Sequence, residues 1–479
     1  MKHACTLFFV LFATSLFAQH TVTVTNGYGS GTYNTGDTVH IWSTAYDSTQ
    51  TFDAWTGDVS LLESAREWHS WLVMPGYDVN FTAHTRSMPP YQIQYEQIMG
   101  VNNLKNVYYY FPPNYKGVVY LFHGTGGSAS GWIYRTENRS FTNAAIADTF
   151  AIIVTEAEEI TLNTDLNGDG KLRWQSTPFD STTNIDYGNL KAITDTFVNR
   201  GLMTYGTKRF ALGMSNGGSF STTETYLFHY HAGISYCASG PDIVFNYTNV
   251  PFAFRMALYD DNDEVGPAGN YQAWQHDSIL EARGICHQYK IHDHQPLYPE
   301  RFARIPGVSI SVSQGMYNEL VTNGQLNAQH YALPSDTIFA HIMANPFAYP
   351  LVLSQSSLVL EELGNEIQAA NAQHHFYSDW NAASLDFFDH LCSQVVAAVQ
   401  EEAVPGIFMV YPNPAQTYVQ VTGIDLQNDF RLVLYDYLGH CLRTVYNQSQ
   451  LNVEDLAPGM YLVQVWQNNN FYTARILKV

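Results

Sequence analysis

Residues 213–217 carry the sequence Gly-Met-Ser-Asn-Gly and directly follow the apolar run of residues 210–212. A Gly-x-Ser-x-Gly sequence behind a strand is typical of a turn so sharp that its glycine positions leave no room for side chains. The next stretch, residues 220–229, is long enough for a helix. The pattern predicts a strand, a sharp turn and a helix with the Ser215 hydroxyl at the tip of the turn; the alternative is an ordinary glycine-rich turn.

Strand-like apolar runs recur through the middle of the chain and are separated by segments of helix length. They span residues 118–122, 151–154, 209–212, 234–237 and 255–258. This succession predicts an α/β fold with a largely parallel sheet, whose functional loops lie at the carboxyl ends of the strands. The main candidate motifs lie at such ends.

The chain of 479 residues has a formal net charge of −21, from 22 basic and 43 acidic residues. This charge argues against binding to nucleic acid and against docking on anionic membranes. Hydrophobic residues make up 46% of the chain, which is enough for more than one folding unit at this length.

The N-terminus has the layout of a secretory signal peptide over residues 1–19, with Lys2 ahead of an apolar stretch at residues 7–17. Beyond it, no apolar run approaches the roughly 18 residues that would span a bilayer. We therefore expect an exported chain that has no transmembrane segment after processing. Export permits disulfides, but the spacing of the later cysteines does not give their pairing.

Residues 20–88 alternate polar and apolar side chains and are punctuated by turns such as Asn26-Gly27, which predicts a small all-β unit. Its motifs at residues 36–39, 52–58 and 74–79 resemble the bacterial surface repeat related to internalin B-repeats. That resemblance implies a spacer or adhesive unit. We expect Trp55 to be a core residue rather than a platform for sugars.

Residues 403–479 form a second β-rich region, which predicts a small β-sandwich. Residues 411–414 read Tyr-Pro-Asn-Pro, residues 456–461 read Leu-Ala-Pro-Gly-Met-Tyr, and the chain ends in Arg-Ile-Leu-Lys-Val. In this order the motifs resemble the C-terminal sorting domain of the type IX secretion system. The resemblance implies export, with the secretion machinery as a partner and a secreted or cell-surface location.

An activated serine needs an imidazole base, a carboxylate that orients the base, and N–H donors for the oxyanion. The run of residues 118–122 leads into a His-Gly-x-Gly loop at residues 123–126, where missing side chains let a backbone N–H face a substrate oxygen. We expect the oxyanion donors to be the N–H of Thr125 or Gly126 and the N–H of Asn216.

The orienting carboxylate should follow the strand that ends near residue 258, where several acidic residues crowd one turn. The turn resembles the esterase motif His-Gly-x-x-Asp-x-x-Val-Pro. Placing Pro267 on its proline puts Asp263 on its acid, so we predict Asp263, with Asp260 and Asp261 as alternatives. The non-catalytic interpretation is a solvated acidic turn or a cation site.

The base should lie downstream of the acid in chain order. His374 and His375 precede an amphipathic segment that contains Phe387 and Phe388, the position where the hydrolase pattern supplies its base. Of the two we favour His374, from the residues that lead into this segment, with His375 as the alternative. His330 is a third candidate.

Together, these elements over about residues 95–399 resemble the secreted α/β-hydrolase esterases that include polyhydroxybutyrate depolymerases, feruloyl esterases and acetyl xylan esterases. The resemblance implies a serine esterase domain over residues 89–402, without a required cofactor, that acts on a carbohydrate-linked acyl or feruloyl ester or on a polyester. The long stretch between Asp263 and His374 predicts a cap insertion at about residues 265–372. The alternatives are a serine peptidase of the same fold and a non-catalytic surface adhesin.

A further motif at residues 165–172 resembles the opening of an EF-hand loop. Asp165, Asn167 and Asp169 would supply oxygen ligands to a structural calcium ion. The twelfth position is Ser176 instead of glutamate, so an Asx-rich turn is the alternative interpretation.

Overall fold

The computed structural model describes residues 19–44, 49–392, 409–412, 415–422, 430–435, 441–457, 459–467 and 470–478. The chain divides into two compact units, residues 1–395 and residues 396–479. The predicted signal peptide lies outside the described residues apart from Gln19, and so does the predicted boundary at residue 403.

The first unit begins with an all-β region, here called the N-terminal β unit, over residues 19–88. Its strands are β1 (Gln19–Thr25), β2 (Gly27–Tyr28), β3 (Gly31–Asn34), β4 (Thr38–Ser43), β5 (Gln50–Gly57), β6 (His69–Val73) and β7 (Val79–Ser87). They form one sheet in the order β3-β1-β7-β5 and another in the order β2-β4-β6. Alternation buries Val22 and Val24 between outward-facing threonines, as expected for strands with one covered face. Trp55 lies in this core, where its indole N–H donates to the Glu67 carbonyl at 2.9 Å.

A larger sheet follows in the same unit. Its strands are β8 (Gln94–Met99), β9 (Leu104–Tyr110), β10 (Val118–Phe122), β11 (Ala151–Val154), β12 (Arg209–Met214), β13 (Ala232–Tyr236), β14 (Phe252–Ala257) and β15 (His287–His292), in the order β8-β9-β11-β10-β12-β13-β14-β15. The pairs from β11 across to β15 are parallel, and β9 and β8 complete the other edge in antiparallel pairing. This mostly parallel sheet with flanking helices is an α/β-hydrolase fold, as predicted.

The helices of the first unit are α1 (Gly131–Tyr134), α2 (Thr136–Ala147), α3 (Glu158–Leu162), α4 (Ile185–Asn199), α5 (Asn216–Leu227), α6 (Asp242–Tyr247), α7 (Gly266–Ala282), α8 (Ile310–Thr322), α9 (Ser335–Ala344), α10 (Pro350–Leu353), α11 (Ser357–Ala370) and α12 (Asn381–His390). Helices α8 to α11 surround a separate apolar core that includes Met316, Ile338 and Leu363. This group of helices, here called the cap, follows β15. The predicted start of the insertion at residue 265 is therefore wrong, because α7 and β15 belong to the central sheet and its flanking layer.

The N-terminal β unit packs directly on the α/β region. The Trp68 indole donates to the Ser378 carbonyl at 3.1 Å, and the Trp42 indole donates to the Gln295 side-chain oxygen at 2.9 Å. The buried Glu67 carboxylate accepts the N–H groups of Ala382 and Ala383 at 3.0 and 2.7 Å, at the start of α12. A carboxylate at a helix N-terminus satisfies donors that have no partner within the helix. These contacts place the β unit within the body of the first unit.

A disulfide joins Cys286, just before β15, to Cys392, just after α12. Cys237, the residue directly after β13, is buried and has a free thiol.

The second unit consists of strands around one apolar core. They are β16 (Met409–Tyr411), β17 (Tyr418–Thr422), β18 (Phe430–Tyr435), β19 (Cys441–Tyr446), β20 (Gln450–Asn452), β21 (Gly459–Gln467) and β22 (Asn470–Lys478), in sheets of order β16-β17-β20 and β19-β18-β21-β22. Across the described residues of both units, no helix has the length and apolar character needed to cross a membrane.

Candidate active site

Ser215 lies at the tip of the turn between β12 and α5, with φ 58° and ψ −126°. Its N–H donates to the Tyr236 carbonyl of the neighbouring strand at 2.8 Å. A Cβ on Gly213 would lie 2.0 Å from the Gly217 carbonyl oxygen, and a Cβ on Gly217 would lie 2.3 Å from the His123 carbonyl oxygen. Both outer glycines of the motif are therefore required by close backbone approach, which holds the serine in its left-handed conformation.

His374 joins this serine to a buried carboxylate. Its Nε2 lies 2.8 Å from Ser215 Oγ, and its Nδ1 lies 2.7 Å from Asp260 Oδ2. A carboxylate can only accept, so it selects the tautomer in which Nδ1–H donates to Asp260 and Nε2 accepts the serine hydroxyl. The arrangement is a serine, a base and an orienting acid in hydrogen-bond contact.

The predicted acid, Asp263, is not the carboxylate at His374. Asp263 is exposed, whereas the Asp260 side chain is fully buried. Pro267 occupies the first turn of α7, so it marks the start of that helix and does not fix the distance back to the acid. Asp260 Oδ1 also accepts the N–H groups of Asn262 and Gly266 at 3.0 and 3.2 Å, which closes the loop around the carboxylate.

Asp261, the other alternative, supports the loop that carries the base. Its Oδ2 accepts the Gln373 side-chain N–H at 2.7 Å, and its Oδ1 accepts the His374 N–H at 3.3 Å. Asp260 therefore holds the His374 imidazole, whereas Asp261 binds the Gln373 side chain and the backbone N–H of His374.

The remaining candidate bases lie elsewhere. His375 Nδ1 lies 2.6 Å from the Phe376 carbonyl, and burial lowers the pKa of this imidazole. His330 is in the cap, where its Nδ1 lies 2.5 Å from the Tyr317 hydroxyl.

The loop after β10 lies against the elbow, since a Cβ on Gly124 would come 3.3 Å from the Ser215 Cβ. Gly126 is excluded as an oxyanion donor because its N–H already donates to the Leu172 carbonyl at 2.8 Å. Within the described residues, the Thr125 N–H has no hydrogen-bond acceptor. Asn216 is the first residue of α5, so its N–H has no acceptor within the helix. Of the predicted donors, Thr125 and Asn216 are the two left free for a substrate oxygen.

His123 fixes the start of this loop as a neutral imidazole. Its Nδ1 lies 2.7 Å from the Gly124 carbonyl, and its Nε2 accepts the Ala157 N–H at 3.1 Å. Burial lowers the pKa of His123 to about 4. A proton on Nε2 would break the bond from Ala157, so the loop geometry depends on the neutral form.

Trp174 connects the elbow to this loop, a role that the sequence did not reveal. The Asn216 side chain accepts the Trp174 N–H at 2.8 Å and donates to the Trp174 carbonyl at 3.1 Å. The indole N–H donates to the His123 carbonyl at 3.0 Å, and the ring stacks on Phe220 of α5. In the sequence, this role is indicated only by the presence of an aromatic residue downstream of the glycine-rich loop.

A cleft of about 220 Å³ opens beside the glycine-rich loop. Its walls include the loop residues, Met214 and Trp132, together with the polar side chains of Arg135, Asn138 and His375. Arg135 forms ion pairs with Glu361 and Glu362 of α11, so this helix anchors one side chain of the cleft wall.

The Cys237 thiol lies close to Asp260 and His374, with potential ligand atoms of the three within 4.8 Å of one another. Burial raises the pKa of Cys237 well above its ordinary value. A protonated thiol beside a histidine and a carboxylate that already bond each other is a poor ligand set for a metal ion.

The donor set of the predicted calcium loop also fits a cation poorly. Asp165 accepts the N–H groups of Gly168 and Gly170, both at 2.7 Å. Asp169 pairs with the Arg173 guanidinium at 2.6 Å. With one carboxylate neutralised and Ser176 at the twelfth position, the loop has the character of an Asx-rich turn.

The C-terminal region matches the family model described as the secretion system C-terminal sorting domain, over residues 409–479. The resemblance to a type IX sorting domain is thereby confirmed, and it indicates export. A comparison of the sequence with curated proteins finds no match.

Solved structures with similarity to the chain cover about half of it. A dienelactone hydrolase from Anabaena variabilis is 16% identical over 49% of this chain and 99% of its own, with a TM-score of 0.31. An esterase from Pyrobaculum calidifontis is 10% identical over 50% of this chain and 87% of its own, with a TM-score of 0.31. An acylaminoacyl peptidase from Pyrococcus horikoshii is 10% identical over 56% of this chain and 49% of its own, also with a TM-score of 0.31. At these values the fold assignment rests on the sheet order and the elbow, and function must be argued from the site.

Proposed function

We propose that this chain is a secreted serine hydrolase that cleaves carboxylic esters, with Ser215 as nucleophile, His374 as general base and Asp260 as orienting acid. The observation that carries the proposal is the continuous hydrogen-bonded series from Ser215 Oγ through both His374 nitrogens to Asp260. Its order along the chain, serine then acid then histidine, is that of the α/β-hydrolase arrangement.

The chemistry follows from this geometry. As Ser215 Oγ attacks the ester carbonyl carbon, its proton passes to His374 Nε2, and the carbonyl oxygen becomes an oxyanion that the N–H groups of Thr125 and Asn216 bind. The bond to the alcohol oxygen then breaks, and His374 returns the proton to the leaving alcohol. Water, activated by the same imidazole, adds to the acyl-enzyme and releases the acid with Ser215 restored.

The finer assignment belongs to the same proposal. The sorting domain supports an extracellular substrate, and the motifs that resemble polyhydroxybutyrate depolymerases and feruloyl and acetyl xylan esterases support a polyester or a carbohydrate-linked acyl ester. The N-terminal β unit keeps its resemblance to internalin-related repeats as a prediction.

The test is hydrolysis of p-nitrophenyl acetate by the purified chain and by Ser215→Ala. The variant should lose turnover by several orders of magnitude and keep the melting temperature of the parent, because removal of a triad member eliminates the nucleophile but not the fold. Ser278→Ala, on α7, is the matched control and should retain full activity. Equal turnover by Ser215→Ala would refute the assignment.

Two further measurements separate the alternatives. A fluorophosphonate probe should label Ser215 in the folded chain, and absence of labelling would favour a non-catalytic adhesin. Cleavage of peptide amides without cleavage of feruloyl, acetyl-xylan or hydroxybutyrate esters would favour a peptidase.

A further inference from the structure

A polar cavity lies between the N-terminal β unit and helices α2 and α12. Its volume is about 160 Å³. Its lining has no residue in common with the cleft beside the glycine-rich loop. It is therefore a separate compartment, formed where the β unit packs on the α/β region.

The cavity lining carries four arginines and three acidic residues, in a chain whose net charge is −21. Four arginines contribute to its walls, namely Arg66, Arg86, Arg139 and Arg304. The acidic residues that share the lining are neutralised or solvated: Asp148 pairs with Arg86 and Lys116, Glu67 binds the N–H groups at the start of α12, and Asp53 is exposed.

Arg139 is the arginine of this set without a counter-charge. Arg66 pairs with Asp386 and Arg304 with Glu137 and Glu366, but Arg139 forms no ion pair within the described residues. Its hydrogen bond to the Arg304 carbonyl is long, at 3.5 Å. Burial is the largest effect on Arg139 and lowers its pKa; Glu362 offsets this only in part and forms no ion pair with the guanidinium.

Buried polar atoms in the same lining also lack partners among the described residues. They are the hydroxyls of Ser43 and Thr136, the Asn381 side-chain oxygen and Arg86 Nε. The side chains of Ser43, Thr136 and Asn381 belong to residues that are 1%, 4% and 8% exposed. Buried polar groups in folded proteins nearly always have a partner. These four atoms are shielded from solvent, so they would bond an occupant of the cavity after a rotation of their side chains.

We propose that this cavity is a binding site for a small hydroxy-carboxylate. The carboxylate would pair with Arg139 and Arg86, and hydroxyl groups of the ligand would bond Thr136, Ser43 and the Asn381 oxygen. Sulfate would satisfy the arginines but would leave the Asn381 oxygen, an acceptor, without a donor.

The test uses isothermal titration calorimetry of the full chain with sodium D-glucuronate, which carries both a carboxylate and hydroxyls. D-glucose, which lacks the charge, and acetate, which lacks the hydroxyls, are the comparison probes. We expect saturable 1:1 binding of glucuronate and at least about 10-fold weaker binding of each comparison probe, since a hydrogen bond to a charged group contributes this much or more.

Variants then locate the site. Arg139→Gln should weaken glucuronate binding roughly 10- to 100-fold, whereas Lys191→Gln, on the exposed face of α4, should not change it. Thr136→Val removes an unpaired buried hydroxyl at constant shape, so it should weaken binding without lowering the melting temperature. If Thr136 had only a structural role, Thr136→Val would lower the melting temperature together with the affinity for glucuronate.

Several results would overturn the proposal. They are the absence of saturable glucuronate binding, equal binding of glucose, and unchanged binding in both Arg139→Gln and Thr136→Val. Loss of binding after phosphonate labelling of Ser215 would place the ligand in the catalytic cleft instead. The Ser215→Ala variant should bind glucuronate normally, so this test stands apart from the proposed esterase activity.

Discussion

The Asp260 carboxylate holds the His374 imidazole in one tautomer and one orientation. Asp260→Asn would present an amide that can donate to Nδ1, which favours the tautomer with its proton on Nε2 and leaves no base for Ser215. We expect kcat/KM for p-nitrophenyl acetate to fall by about 10⁴-fold, the loss seen when an aspartate of this kind becomes asparagine. Asp263→Asn, three positions further along, changes an exposed side chain and should keep at least half of the parent activity. A larger loss in Asp263→Asn than in Asp260→Asn would contradict the assignment of the acid.

Because Glu224 is buried in α5, we expect the free energy of unfolding to depend on pH. Burial raises its pKa from 4.5 to about 8, and one carboxylate oxygen has no partner within the described residues. The folded state therefore binds this proton more tightly than the unfolded state, so the stabilisation is complete below pH 4.5 and is lost as the pH rises through about 8.

Glu224→Gln removes this titration. The free energy of unfolding of the variant, relative to the parent, should rise with pH across the interval from 4.5 to about 8, measured by urea unfolding at a series of pH values. Glu63→Gln, the same substitution at an exposed position, is the control. A flat profile for Glu224→Gln would refute the expectation.

Individual residues differ in how far the sequence determines their place in the site. Ser215 and His374 lie in local patterns, a glycine-framed turn and a histidine ahead of a helix, and the structure brings them together. Asp260 was not separable from Asp263 because the choice depends on how the loop of residues 260–266 folds back on the carboxylate. Thr125 and Gly126 were not separable as donors from the sequence, because the acceptor of the Gly126 N–H, the Leu172 carbonyl, lies 46 positions further along the chain.

At the scale of elements, Asn216 ties the turn before α5 to the segment that carries Trp174. Asn216→Ala loses two hydrogen bonds to the Trp174 backbone, which should lower the free energy of unfolding by roughly 1–3 kcal/mol. Asn216→Asp keeps the acceptor for the Trp174 N–H but lacks the donor, so its loss should be intermediate. Denaturant unfolding of the three proteins gives the comparison, and equal stability of all three would contradict the role of this link.

The disulfide between Cys286 and Cys392 joins the edge strand β15 to the end of α12, across 106 positions of the chain. Replacing both cysteines with serine should lower the free energy of unfolding by about 2–5 kcal/mol, because a closed loop of this length restricts the unfolded chain. Reduction of the parent should give a similar loss. Equal stability of parent and variant under non-reducing conditions would show that the bridge does not form.

Edge strand β15 also explains why the start of the cap was misjudged. Its sequence, His-Gln-Tyr-Lys-Ile-His, is only partly buried and contains no continuous apolar run. The interior strands β10 to β14 are apolar because both faces of a parallel sheet are covered, which makes them readable from sequence. An edge strand bordered by polar residues gives no comparable signal.

On the scale of the whole molecule, the two compact units predict different results for two truncations. Ending the chain at residue 395 removes the sorting unit and should leave ester hydrolysis and the melting temperature of the first unit unchanged. Removing residues 20–88 should abolish soluble, active protein, because it exposes Ser378, Gln295 and the start of α12. Activity and thermal unfolding of the two truncated chains test this, and an active chain without residues 20–88 would contradict it.

The contacts of residues 66–69 with residues 378–386 join positions that are 310 to 320 apart in the chain. Such contacts raise the contact order of the first unit, because they join positions far apart in the chain and the loop-closure entropy must be overcome before they form. His374 lies near the C-terminal end of the first unit. Until the chain has been synthesised beyond residue 374, Ser215 has no imidazole beside it, so we expect ester hydrolysis only from chains in which residues 378–386 have packed on the N-terminal β unit.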